Sequence, residues 1–97
     1  MTAIEKIKGI LAGHKEELAA RFKVKKLGIF GSYVRGEQKK ASDIDVLVEF
    51  GEPVGLFRFM DLEEYLTNLL GRKVDLVSKK ALKPRIGSRI LKEAVYI

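Results

Sequence analysis

Apolar residues Ile4, Ile7, Leu11, Leu18 and Phe22 fall on one line at helical spacing, and this predicts a single amphipathic helix over residues 3–22. His14 lies on the same stripe, where a lone histidine is more often a packed, hydrogen-bonded side chain than a ligand, so no chemistry is assigned to it. Val24–Phe30 then reads as a strand that Gly31 ends, and Ser32–Gly36 has room for one helical turn only. A second strand is expected from Asp43 to Phe50, broken by the cluster Gly51, Pro53 and Gly55. Phe59, Glu63, Leu66 and Leu70 form one line of a helix over Phe57–Leu70, widened by Met60, Leu62 and Leu69 and stopped by Gly71. Lys73–Ser78 reads as a third strand, and Pro84 opens a last helix that runs to Glu93. This order predicts an α/β (α+β-like) protein, a small three-stranded mixed sheet with helices packed on it, in a single domain over residues 1–97.

Composition narrows the classes. With 46% apolar and 33% charged residues the chain sits in the range of folded globules. The absence of cysteine excludes a disulfide framework and a thiolate zinc site. No apolar run approaches the roughly 20 residues that span a bilayer, and MTAIEKIKGI lacks the apolar block of a signal peptide. A cytoplasmic protein that does not engage membranes is therefore expected. The net charge of +6 is confined to one end: residues 1–71 balance 11 basic against 11 acidic side chains, while residues 72–97 hold 8 basic ones and only Asp75 and Glu93. That C-terminal patch would attract nucleotide phosphates, RNA or an acidic protein face, or it is simply a solvated surface. Direct nucleic-acid binding is open but not the favoured reading.

Chemistry enters at the start of the second strand. Side chains alternate across a strand, so Asp43, Asp45, Leu47 and Glu49 share one face while Ile44, Val46, Val48 and Phe50 form the core face. Two carboxylates two residues apart repel each other unless their oxygens converge on a cation. Asp75, set in the β-branched run Lys73-Val74-Asp75-Leu76-Val77, is a third acid on a neighbouring strand. Three such carboxylates at one sheet edge are costly without a metal to neutralise them, and hard oxygen donors suit magnesium or manganese bridged to the phosphates of a nucleoside triphosphate. Gly31 would let a phosphate approach the backbone, and Ser32 begins a turn whose free N–H groups face an anion and whose hydroxyl reaches a phosphate oxygen. Arg35, one turn on, suits a phosphate or a carboxylate equally well. Asp43-x-Asp45 on its own would read as a turn leading into a solvated edge. A calcium-binding loop is excluded by Ile44, Val46 and Leu47, and a Walker loop by the lack of Gly-Lys-Ser/Thr. Gly31–Gly36 gives no dinucleotide fingerprint either. The combination with Gly31-Ser32 and Asp75 is what favours catalysis.

Gly31-Ser32-Tyr33-Val34-Arg35-Gly36 followed by Ser42-Asp43-Ile44-Asp45-Val46-Leu47-Val48 resembles the signature of the minimal nucleotidyltransferases of the polymerase-β-like superfamily, with Val34 where members often carry alanine. The resemblance implies the nucleotidyltransferase fold, Asp43, Asp45 and Asp75 as catalytic, metal-binding triad, and Gly31 and Ser32 at the triphosphate; in-line transfer at such a triad is expected to use two magnesium or manganese ions, and Arg35 is counted as nucleotide-binding from its place one turn on. The resemblance further implies a protein adenylyltransferase acting as an antitoxin, which moves AMP from ATP to a tyrosine hydroxyl of a partner HEPN-domain RNase toxin. A chain with no acceptor domain of its own must find its acceptor on another macromolecule. The competing expectation is a non-catalytic module that silences the toxin by masking it.

Overall fold

The computed structural model describes residues 1–97 and arranges them as α1 (Ala3–Ala12), α2 (Lys15–Phe22), β1 (Val24–Phe30), α3 (Ser32–Arg35), β2 (Ile44–Phe50), α4 (Leu56–Leu70), β3 (Val74–Ser78), α5 (Pro84–Glu93) and β4 (Val95–Tyr96), with a 3₁₀ turn at Lys79–Ala81. The strand order is β3-β2-β1-β4. β2 runs parallel to β3, and β1 is antiparallel to both β2 and β4, so the sheet is mixed. It has four strands where three were expected. β4 is two residues long, and it forms because the end of α5 returns the chain to the free edge of β1, pairing Gly28 with Tyr96 and Ile29 with Val95.

The predicted helix over 3–22 is two helices. In an unbroken helix the His14 N–H would bond the Ile10 carbonyl. Here the imidazole Nδ1 lies 2.8 Å from that carbonyl oxygen, and the backbone N–H turns instead to Leu11. Gly13, a poor helix former, stands beside it. The apolar stripe survives the break, since Ile7, Leu11, Leu18 and Phe22 are all buried.

Those four side chains meet Leu27 and Ile29 of β1, Ile44, Val46 and Val48 of β2, Leu62 and Leu66 of α4 and Val74 and Leu76 of β3 in one cluster. It lies on one face of the sheet. The opposite face is not simply the solvated one, because Leu47 and Phe30 are buried there as well, with Ile86 and Ile90 of α5 bordering Phe30. Edge strand β3 is tied to α4 by side chains: Glu63 accepts the Leu76 N–H at 2.9 Å and Thr67 accepts that of Val74 at 3.1 Å. Satisfying these edge N–H groups leaves no bare template for another strand at the position where Asp75 is held. Met60, expected on the apolar face of α4, is instead largely exposed with Leu56 and Phe57.

Candidate active site

The site is built where β1 ends and β2 begins. Parallel pairing sets Asp45 level with Asp75, and antiparallel pairing sets Phe30, the residue before Gly31, level with Asp45. Gly31 caps α3 with φ +79° and ψ −151°, a conformation that essentially only glycine adopts. A Cβ at this position would stand 2.1 Å from Asp45 Oδ2. Glycine is therefore required twice, for the turn and for the seat of the Asp45 carboxylate. Within α3 the N–H groups of Val34 and Arg35 are taken by the Gly31 carbonyl, which leaves those of Ser32 and Tyr33 without a backbone acceptor.

Burial first, then the charges of Asp75 and Asp43, raise the Asp45 carboxyl above its ordinary range, with Arg35 pulling the other way. Asp43 sits just before β2 with Lys73 Nζ 3.9 Å away, and Asp75 is exposed on β3. The structure thus brings the three predicted acids into mutual electrostatic range. Their side chains do not close into a ready-made cage, and no group of three carboxylates is near enough as it stands to hold an ion. The donors nevertheless fit a hard divalent cation, because a half-buried carboxylate raised by two like charges is what such an ion would relieve.

Arg35, left open between phosphate and carboxylate, is found on carboxylates. Its Nε donates to Glu37 at 2.7 Å and its Nη1 to Glu93. Glu93 also accepts the Gly31 N–H at 2.8 Å, so this N–H is already used within the chain. The Gly31 N–H above all, with help from the Arg35 guanidinium, holds the Glu93 carboxyl below its ordinary range against the opposing effect of burial. Sequence reasoning passed over Glu93 as one of two acids in a basic tail. The available signal was its place two residues before the β-prone Val95-Tyr96-Ile97. A larger cleft of about 640 Å³ opens at the far end of β2, among Phe50, Val54, Phe59 and Lys79, away from the carboxylates.

With this geometry in view, comparison places the protein in a class: residues 11–97 match the model of the nucleotidyltransferase domain family, and the chain belongs to that family. It is a nucleotidyltransferase, an enzyme. Over 97 residues it is 53% identical to protein adenylyltransferase MntA of Thermococcus cleftensis, covering 100% of this chain and 98% of that one. A solved structure described provisionally as a minimal nucleotidyltransferase is 35% identical and superposes with TM-score 0.76, covering 98% of this chain and 95% of the other. At 23% identity, a toxin–antitoxin structure with AMP-PNP shares the fold with TM-score 0.72 over 87% of this chain and 69% of that one. A chain in the structure of a tri-AMPylated Shewanella oneidensis HEPN toxin in complex with MNT antitoxin likewise shares it, at 20% identity and TM-score 0.63 over 87% of this chain and 66% of the other.

Proposed function

We propose that the protein is a protein adenylyltransferase that transfers AMP from ATP to a tyrosine hydroxyl of a HEPN-domain toxin, neutralising it as an antitoxin in the cytoplasm. The observation that carries this reading is the Asp45 carboxylate seated against Gly31, level with Asp75, in a chain that matches a named protein adenylyltransferase end to end. Asp43, Asp45 and Asp75 would hold magnesium or manganese, two ions in this reading, which would supply charge neutralisation for the attacking oxygen and the leaving pyrophosphate. The triphosphate lies along the Gly31–Ser32 turn, where the free N–H groups of α3 and the Ser32 hydroxyl meet phosphate oxygens, with Arg35 beside it.

Asp75 is the exposed acid of the three, so an acceptor on another protein meets it first. It orients the acceptor hydroxyl and takes its proton as the tyrosine oxygen bonds the α-phosphorus and the bond to pyrophosphate breaks. A phenol, with a reference pKa near 10, gives up that proton more readily than an aliphatic hydroxyl. No helix is long and apolar enough to cross a membrane.

The test is the intact mass of a candidate HEPN-domain partner, after incubation with the protein, ATP and magnesium. The expected result is a gain of one or more adenylyl units, lost by about 100-fold or more in rate in an Asp43→Ala, Asp45→Ala variant that still binds the partner. If that variant protects cells from the toxin as well as the unaltered protein does, masking is the mechanism and the transfer reading is wrong.

A further inference from the structure

The cleft beside Asp45 has an opening of about 340 Å³, with Gly31, Arg35 and Asp45 on one side and Ile86, Arg89 and Glu93 of α5 on the other. Two cations border it, and their circumstances differ. Arg35 is committed to Glu37 and Glu93, so its charge is matched by two carboxylates, and to grip a phosphate it would have to give up ion pairs already made. Arg89 stands one helical turn before Glu93 on the same side of α5, lines the same cleft, is exposed, and has no carboxylate within 4.0 Å. Its charge is close enough to Glu93 to favour the ionised carboxylate there. Asp45 and Glu93 themselves would repel a triphosphate, so a cation with charge to spare is needed on that wall.

We propose that Arg89 is a substrate-binding residue that grips the triphosphate tail of the nucleotide across the cleft from Gly31–Ser32, while Arg35 stays with its carboxylates and fixes the shape of the turn. A planar guanidinium on a long stem suits this task, since it can present two parallel N–H donors to phosphate oxygens. The inference rests on the reading that this cleft holds ATP, and it separates Arg89 from the rest of the C-terminal basic patch. Arg85, exposed on the same helix and outside the cleft lining, is the natural control.

Calorimetric titration with ATP and with AMP, both with magnesium, tests it on the full chain. Arg89→Ala should weaken ATP by about tenfold or more, the scale of a lost charge-assisted hydrogen bond, and AMP by much less, because AMP lacks the tail. Arg89→Lys should fall between, Arg85→Ala should match the unaltered protein, and the ligand-free melting temperature should be unchanged in all three. Unchanged ATP affinity in Arg89→Ala overturns the proposal, as does an equal loss for ATP and AMP, which would mean that the helix has moved. Asp45→Asn is titrated alongside. If it weakens magnesium-ATP while Arg89→Ala does not, the Arg89 inference alone fails; if the unaltered protein binds no magnesium-ATP, or Asp45→Asn has no effect, the site reading fails and this inference with it.

Discussion

Asp45 and Glu49 lie on the same face of the same strand, four residues apart, and their carboxyl groups are shifted in opposite directions. Glu49 is met by Lys79 at 3.0 Å and Lys25 at 3.4 Å, and the Lys79 contact above all holds it below the ordinary carboxylate range. Asp45 is half-buried and meets Asp75 and Asp43, which raise it further. One acid has its countercharge supplied by the chain; the other is surrounded by more acid, and Arg35, whose charge favours it, is paired with Glu37 and Glu93. A carboxylate in a strand is thus no mark of function in itself. Under the proposed function, the mark is a carboxylate left without a countercharge from its own chain.

The strongest way to break the Asp45 end is through its seat. Gly31→Ala must place a Cβ into the space of Asp45 Oδ2 while holding a backbone conformation foreign to L residues. A cost of about 2–3 kcal/mol is expected, a fall in melting temperature of roughly 10 °C or more for a chain of this size, with nucleotide binding lost as well. The comparable change at the Glu49 end, Gly51→Ala, meets nothing nearer than 3.8 Å and lies in an exposed bend, so it should leave the melting temperature almost unchanged. Similar losses at both positions in thermal melts would show that Asp45 has no special seat.

A smaller effect sharpens the contrast in sign. Because the folded-state value of Asp45 is raised, the native chain keeps a proton that the unfolded chain has released, so ionised Asp45 costs stability as pH rises through that window. Asp45→Asn should therefore stabilise the ligand-free protein at neutral pH, by less than about 1 kcal/mol because solvent screens a half-exposed carboxylate. The gain should shrink as pH falls and vanish below the ordinary carboxylate range. Glu49 behaves oppositely: its lowered value contributes stability above the unfolded pKa that is lost as pH falls, so Glu49→Gln should be slightly destabilising at neutral pH and indifferent in acid. Urea melts across pH 3–8 would expose the error if both variants moved the same way.

Much of this was legible in the residues because it is local. Alternation fixes which side of β2 carries Asp43 and Asp45, glycine marks the end of β1, and the acid in Val74-Asp75-Leu76 is conspicuous among apolar neighbours. What was missed depends on contacts distant along the chain. β4 is too short to show a period and exists only against β1, and Leu47 and Phe30 are buried on a face that looked like the solvated one, Phe30 with Ile86 and Ile90 of α5 beside it. Glu93 reaches Gly31 across 62 residues. The break at Gly13–His14 turns on a side chain competing for one carbonyl, which leaves the apolar stripe intact and so leaves no trace in the pattern.

If the Asp45 cluster takes up a cation carried with a nucleotide, differential thermal melting will read it. ATP with magnesium should raise the melting temperature of the unaltered protein and of Glu49→Gln by several degrees more than ATP with a chelator. In Asp45→Asn that difference should disappear. Equal shifts with magnesium and with chelator in the unaltered protein, or a magnesium-dependent shift that survives in Asp45→Asn, would contradict the account.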